Sequence, residues 1–87
     1  MTDLFKLVLS RQVRKKDLPK IPEKDRQRIT QIIGQLRSNP RPKAALRLTT
    51  REEYRLRQGD YRILYVVQDE IRVVDVRRVG HRREIYR

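Results

Sequence analysis

Two strands and the turn between them are encoded in one stretch, YRLRQGDYRILY (residues 54–65). Apolar and polar residues alternate on both sides of its central Gly-Asp pair, which is typical of a β-hairpin with a two-residue loop. Such a loop would pair Leu56 with Ile63. It would also pair Tyr54 with Tyr65, so that all four side chains share one face of the sheet. A three-residue loop would place an arginine among them, because a shift of one residue moves every side chain to the other face.

Arginines occupy the opposite face of the same hairpin. Because side chains alternate between the two faces of a strand, Arg55, Arg57 and Arg62 lie together on this face, and we call these three residues the arginine row. Like charges at neighbouring cross-strand positions destabilise a sheet, whereas a guanidinium binds phosphate oxygens in two places and stays charged at any working pH. The row therefore predicts a phosphate-binding site on an open face, where replacing Arg62 should leave the fold intact. The alternative is a solvated edge of the sheet without a ligand.

Helices are predicted on the N-terminal side of the hairpin. After a short alternating strand over residues 5–9, Ser10 can cap a short helix that stops near Pro19. A longer helix begins after Pro22 and ends before Asn39, because its apolar residues fall at the spacing i, i+3, i+4, i+7 on one face. These apolar residues are Ile29, Ile32, Ile33 and Leu36.

Further strands complete the predicted sheet. Residues 46–48 indicate one strand. A two-residue turn at positions 69–70 would return residues 71–78 beside the hairpin, with Val74 and Val76 on the apolar face. Amphipathic helices would cover that face. The sequence therefore predicts an α+β fold, with two N-terminal helices packed on one face of a mainly antiparallel sheet.

Charge limits the class of partner. The chain of 87 residues carries 23 lysines and arginines against 11 aspartates and glutamates, a net charge of +12. Such an excess attracts phosphates, so a polyanionic partner is the first hypothesis and an acidic protein the second. An apolar content of 37% indicates a folded chain, and the length predicts one domain over residues 1–87.

The residue types exclude several classes of protein. Without cysteine there is neither a disulfide framework nor a thiolate zinc site. A single histidine with scattered carboxylates does not make a convincing transition-metal site, so we expect no metal and no cofactor. The apolar runs are shorter than the ~20 residues that span a bilayer, and the first residues lack the order of a signal peptide. We therefore expect a cytoplasmic protein that does not associate with a membrane.

The residues that follow the last predicted strand are suited to proton transfer. The stretch VRRVGHRREIYR (residues 76–87) holds His81 and Tyr86, and it should lead away from the sheet close to the arginine row. Metal-independent RNA cleavage requires that the 2′-hydroxyl lose a proton, that charge on the phosphoryl oxygens be neutralised, and that the leaving 5′-oxygen gain a proton. Arginines can neutralise the charge, and His81 and Tyr86 are candidates for the proton transfers. The alternatives are a surface histidine at a strand end and a tyrosine packed on the sheet.

Two segments resemble the RelE/ParE superfamily of bacterial and archaeal toxins from toxin-antitoxin pairs. They are YRLRQGDYRILY and RVGHRREIY (residues 78–86). The resemblance implies a compact fold with two N-terminal helices on an antiparallel sheet, described as RelE-like. In the RelE branch it implies a ribosome-dependent endoribonuclease that cuts the mRNA codon in the A site by 2′-hydroxyl attack. The partners it implies are an acidic, RelB-like cognate antitoxin, the ribosome and mRNA.

The resemblance also implies roles for individual residues. Tyr86 matches a catalytic tyrosine of the RelE branch, and His81 lies where several members have a histidine instead of a lysine. The residues implied to act in catalysis are Arg62, Arg82, His81 and Tyr86. The residues implied to bind the substrate are Arg55, Arg57 and Arg83.

Two other functions are compatible with the sequence. One is a ParE-like toxin that binds and poisons DNA gyrase without cutting nucleic acid. The other is a basic RNA-binding or DNA-binding module without activity. A gyrase poison has no need for a tyrosine and a histidine beside a phosphate-binding arginine row, which favours the endoribonuclease.

Overall fold

The computed structural model describes residues 4–48 and 52–85. Within these ranges, five strands form one sheet. The strands are β1 Lys6–Leu9, β2 Leu46–Leu48, β3 Glu53–Gln58, β4 Tyr61–Gln68 and β5 Val73–His81. Their order in the sheet is β1-β5-β4-β3-β2; β1 is parallel to β5, and the other neighbours are antiparallel. The predicted α+β fold class and its mainly antiparallel sheet are confirmed.

Two helical segments lie between β1 and β2, and a third follows β5. The segments are a π-helix Val13–Asp17 that continues into α1 Leu18–Lys20, then α2 Glu23–Gln35, and α3 Arg82–Ile85. The Ser10 hydroxyl accepts a hydrogen bond from the Val13 N–H at 3.2 Å, as expected for a capping residue. Pro19 lies at the start of α1, where a proline is tolerated. The helical segment ends at Lys20, close to its predicted end near Pro19. The turn α3 was not predicted.

One hydrophobic core joins helical residues to one face of the sheet. The helical segments contribute Val13, Ile29 and Ile33 to it, and Leu36 follows directly after α2. The sheet contributes Tyr54, Leu56, Ile63, Tyr65, Val67, Val74, Val76 and Val79. No helix within the described ranges has the length and apolar character needed to cross a bilayer.

The hairpin between β3 and β4 has the predicted register. Leu56 pairs with Ile63 and Gln58 with Tyr61, so the loop contains two residues. Gly59 occupies the first loop position with φ 59°, a left-handed conformation that glycine adopts without steric cost. The arginine face opposite the core follows directly from this pairing.

The turn between β4 and β5 differs from the prediction. Gln68 pairs with Val73, so the loop holds residues 69–72 instead of two residues. Neither position of the predicted turn is a glycine, and the left-handed conformation lies at Arg72, with φ 53°. Because the pairing shifts by two residues, each side chain of β5 before the bulge keeps its predicted face, and Val74 and Val76 face the core, as predicted.

Candidate nucleic-acid interface

The arginine row lies on the face of the sheet opposite the core. Arg57 and Arg62 are direct cross-strand partners, and Arg55 precedes Arg57 by two residues on β3. The Cβ atoms of cross-strand partners lie within about 5 Å of each other, so the side chains of Arg57 and Arg62 leave the sheet side by side at the end of the hairpin. The Arg57 side chain is exposed and that of Arg55 is half-buried.

Arg62 is held against the turn of its own hairpin. Its Nη1 donates to the carbonyl oxygens of Gly59, at 3.1 Å, and Tyr61, at 3.0 Å. Only 6% of the residue is exposed. The expectation that Arg62 projects freely from an open face is therefore wrong, because the turn places two acceptors within reach of the guanidinium. The consequence is a cation whose position is set before any ligand binds.

Arg82 reaches the same end of the hairpin from β5. Its backbone N–H donates to the carbonyl of Asp60 at 2.8 Å, and its Nε lies 3.9 Å from the Asp60 carboxylate. The start of α3 is thereby tied to the loop that Arg62 binds. Arg83 is exposed, and its N–H donates to Nδ1 of His81 at 3.2 Å. The structure thus brings Arg82 to the β3–β4 loop, with Arg83 one residue further on.

His81 does not join the arginine row. It pairs with Tyr61, whose side chain packs against the core, and the two rings meet edge to face with centroids 5.8 Å apart. Both line a pocket of about 200 Å³ on the helical side, together with Asp17 and Lys20. Burial raises the pKa of Tyr61, as do nearby carboxylates, so its hydroxyl stays protonated. Tyr86 lies outside the described residues.

A β-bulge explains the position of His81. Leu64 pairs with Arg78 and Tyr65 with Val76, so β5 contains one extra residue, Arg77. Strict alternation from Val76 would have put His81 on the arginine face. Two residues of β5 oppose one of β4 at the bulge, so every later residue of β5, including His81, lies on the opposite face from the one that strict alternation gives.

Buried Asp17 anchors the helical side to β5 and was missed by sequence reasoning. It is 5% exposed, and its Oδ2 accepts from the Val79 N–H at 2.9 Å and from Nε of Arg78 at 3.2 Å. Its Oδ1 accepts from Gln12 at 2.9 Å. The pairing of β1 with β5 reaches only Val76, and Asp17 supplies an acceptor beyond that point. The signal available in the sequence was that Asp17 is a single acidic residue directly after the basic run over residues 14–16.

The opposite end of the sheet is held by Arg41. Its guanidinium binds the carboxylates of Glu52 and Asp69, and its Nε donates to the Tyr54 hydroxyl at 2.7 Å. These bonds lower the pKa of Glu52 and Asp69 below their usual values and raise that of Arg41. The network links the connection after α2 to the loop between β4 and β5. It lies at the end of the sheet away from the β3–β4 turn.

Known proteins similar to this chain in sequence are toxins of toxin-antitoxin systems. Residues 7–86 match the family described as the ParE toxin of type II toxin-antitoxin system, parDE. The chain is 33% identical over 76 residues to the RelE1 protein of Methanocaldococcus jannaschii, a match that covers 83% of this chain and 84% of that relative.

Two solved structures share the fold. The RelE-RelB complex from Pyrococcus horikoshii OT3 superimposes with a TM-score of 0.77 and 27% identity, over 94% of this chain and 97% of that chain. The intact E. coli RelBE toxin-antitoxin complex gives 0.76 and 26%, over 88% and 95%. The chain therefore belongs to the ParE toxin family of type II toxin-antitoxin systems, within the RelE/ParE superfamily.

Proposed function

We propose that this toxin is a ribosome-dependent endoribonuclease that cleaves mRNA in the A site by metal-independent 2′-hydroxyl attack. The observation that carries the proposal is the fixed guanidinium of Arg62, paired across the hairpin with exposed Arg57 and with Arg82 tied to the same loop. In this proposal the cations of Arg62 and Arg82 bind one phosphate group, and Arg57 lies beside them to hold the adjoining backbone. The sugar-phosphate backbone of RNA supplies such a group at every step.

The arginines would stabilise the transition state. As the 2′-oxygen attacks phosphorus, negative charge grows on the phosphoryl oxygens, and preorganised cations stabilise that charge without reorganising. A guanidinium has five N–H donors, so the bonds from Nη1 of Arg62 to the turn are compatible with bonds from its Nη2 to a phosphate oxygen. In this proposal Arg62 and Arg82 bind the phosphoryl oxygens. Arg55, Arg57 and Arg83 hold the flanking backbone.

Tyr86 is the better candidate for proton transfer. It follows Ile85, which is the last residue of α3, and α3 begins at the loop that Arg62 binds. Tyr86 matches the catalytic tyrosine of the RelE branch, and in this proposal its hydroxyl acts as the general base. We assign His81 a supporting role, since its ring contacts Tyr61 on the other face.

The cognate antitoxin would be an acidic protein. The two solved relatives are complexes of RelE with RelB, and the charge of +12 on this chain favours a partner segment rich in carboxylates. Complementary charges accelerate association mainly at low ionic strength. The association rate constant should therefore fall as salt is raised, and a rate insensitive to salt would contradict this part of the proposal.

The decisive experiment maps cleavage of a defined mRNA on purified ribosomes. The wild-type toxin should cut within the A-site codon and leave a 2′,3′-cyclic phosphate, whereas the same RNA without ribosomes should remain intact. Arg57→Gln should weaken cleavage. The matched control Arg28→Gln removes the same charge from an exposed position of α2 and should cut at the wild-type rate.

Two outcomes would replace the proposal. Because the family matched by the chain is named for ParE, gyrase poisoning is the second candidate, and gyrase-dependent DNA breaks with intact mRNA would establish it. Ribosome or nucleic-acid binding without any cleavage would instead indicate a non-catalytic basic module.

A further inference from the structure

A cavity of about 510 Å³ opens beside Arg57, between the end of α2 and β3. Arg57 lines this cavity, although its side chain belongs to the arginine row on the other face of the sheet. The cavity and the arginine row therefore share one residue. Its apolar walls are formed by Ile32, Leu36, Pro42 and Leu56.

The main chain of Arg57 points toward the side of β3 on which the cavity lies. The Glu52 carbonyl, directly before β3, accepts from the Val67 N–H of β4 at 3.0 Å. In an antiparallel ladder, successive residues of a strand bond alternately to one neighbouring strand and to the other. Counted along β3 from Glu52, the N–H and C=O of Arg57 point away from β4, toward the side of β2.

At this point β3 has a free edge. β2 pairs with β3 only as far as Leu46, opposite Arg55. The segment before Leu46 turns away, because the Ala45 N–H donates to the Pro42 carbonyl at 2.9 Å. No strand within the described ranges pairs with Arg57 on this side, so one main-chain donor and one main-chain acceptor border the cavity.

Amide side chains surround this edge. Gln35, Asn39 and Gln58 line the cavity, and its described lining residues include no carboxylate that would repel a phosphate-bearing ligand. The Asn39 Oδ1 accepts from the Arg41 N–H at 3.3 Å, so the amide nitrogen of Asn39 is the group offered to a ligand. Asparagine and glutamine amides, with a donor beside an acceptor, bind the polar edges of nucleobases.

We propose that this cavity binds a nucleobase of the RNA, from the nucleotide whose phosphate Arg57 holds. The inference rests on the proposed function, in which Arg57 holds the backbone that flanks the cut. Neighbouring strands are about 5 Å apart, so a base crosses the width of only one strand to pass from the arginine row around the free edge of β3. Unstacked bases of RNA are recognised through their apolar faces and polar edges together. The apolar walls and the amides offer both kinds of contact.

An extended peptide is the other ligand that a free strand edge can bind. A peptide that adds a strand needs a row of main-chain hydrogen bonds. Between Arg55, where the pairing with β2 ends, and the loop at Gly59, Arg57 is the one residue of β3 whose main chain points to this side. A single donor and a single acceptor suit the edge of a base better than a strand.

The first test titrates the free, isotope-labelled toxin with the four RNA homotrinucleotides and with an abasic trinucleotide that has the same phosphates. The abasic compound should shift the guanidinium signals of the arginine row and leave the side-chain amide signals of Asn39 and Gln58 unchanged. At least one homotrinucleotide should shift those amides and bind about fivefold to a hundredfold more tightly than the abasic compound. Equal affinities and equal shifts for all the compounds would overturn the proposal.

The second test measures base preference on ribosomes. Wild-type cleavage rates should differ about fivefold or more among mRNAs that differ in the base next to the cut, and Gln58→Leu should reduce this spread to less than about twofold. The control Gln68→Leu changes a strand glutamine at the other end of β4 and should keep the wild-type preference. Loss of folded protein lowers the rate on every mRNA equally, so it does not alter the ratio. A preference that is unchanged in Gln58→Leu, or absent in wild type, would overturn the proposal.

The outcomes distinguish the cavity from the proposed function. If the wild-type toxin does not cleave on ribosomes while a homotrinucleotide still shifts the amides of Asn39 and Gln58, the proposed function fails and the cavity remains a nucleobase site. If purified antitoxin shifts these amides and no trinucleotide does, the cavity is a docking site for protein and the proposal is wrong.

Discussion

Replacement of Arg62 by alanine should damage stability and catalysis at the same time. The side chain is buried and donates to two turn carbonyls, so its removal takes a charged donor from both acceptors. Hydrogen bonds to charged groups contribute about 1.5–3 kcal/mol each. The Gly59 carbonyl lies in an exposed loop where water can replace the lost donor, which brings the expected total to roughly 2–3 kcal/mol. In a domain of this size, that loss of unfolding free energy corresponds to a decrease of roughly 10–20 °C in melting temperature.

The catalytic loss should be larger than the loss of folded protein. Removal of one preorganised stabiliser of an oxyanion typically lowers the rate about 10²-fold to 10³-fold. The assay is urea unfolding at low temperature, followed by single-turnover cleavage under conditions in which the variant is still folded. Arg57→Ala is the control, because this cross-strand partner is exposed and should change the free energy of unfolding by less than about 0.5 kcal/mol.

Two results would refute this reasoning separately. A urea midpoint equal to that of wild type would show that the bonds of Arg62 to the turn do not stabilise the hairpin. A wild-type rate per folded molecule would show that Arg62 does not stabilise the transition state.

Three further predictions concern other parts of the molecule. Asp17→Ala should destabilise by roughly 2–4 kcal/mol, because it leaves the buried Val79 N–H without an acceptor, whereas Asp17→Asn should recover part of the loss; equal urea midpoints for all three proteins would contradict this. Arg41 lowers the pKa of Glu52 and Asp69, so the contribution of these two carboxylates to the stability of the fold is complete above about pH 4.5 and is lost as the pH falls through their lowered pKa values. Unfolding curves of Arg41→Ala, measured at several pH values, should lack this acid dependence. Tyr86→Phe should abolish cleavage with unchanged ribosome binding and melting temperature, while His81→Gln should retain cleavage; the reverse result would transfer the proton-transfer role to His81.

Local pattern determined the hairpin and the arginine row. Side chains alternate strictly along a strand, so one loop length was enough to place Arg57 opposite Arg62 and the apolar residues on the other face. The apolar stripe of α2 was equally readable, because i, i+3 and i+4 positions lie on one side of a helix. The fold class and the family resemblance followed from these elements in order.

Only the tertiary structure decided how the site is built around the row. The extra residue in β5 moved His81 to the face of Tyr61, and nothing in the run VRRVGH announces a bulge. The bond from Val79 to Asp17 joins residues 62 positions apart, and the contact of Ile85 with Gly80 depends on where a four-residue turn comes to rest. The sequence by itself determined which residues share a strand face, because that property depends on neighbours along the chain. Burial of Arg62, the anchoring of β5 and the placement of α3 depend on atoms brought together by folding, so they were decided by the tertiary structure alone.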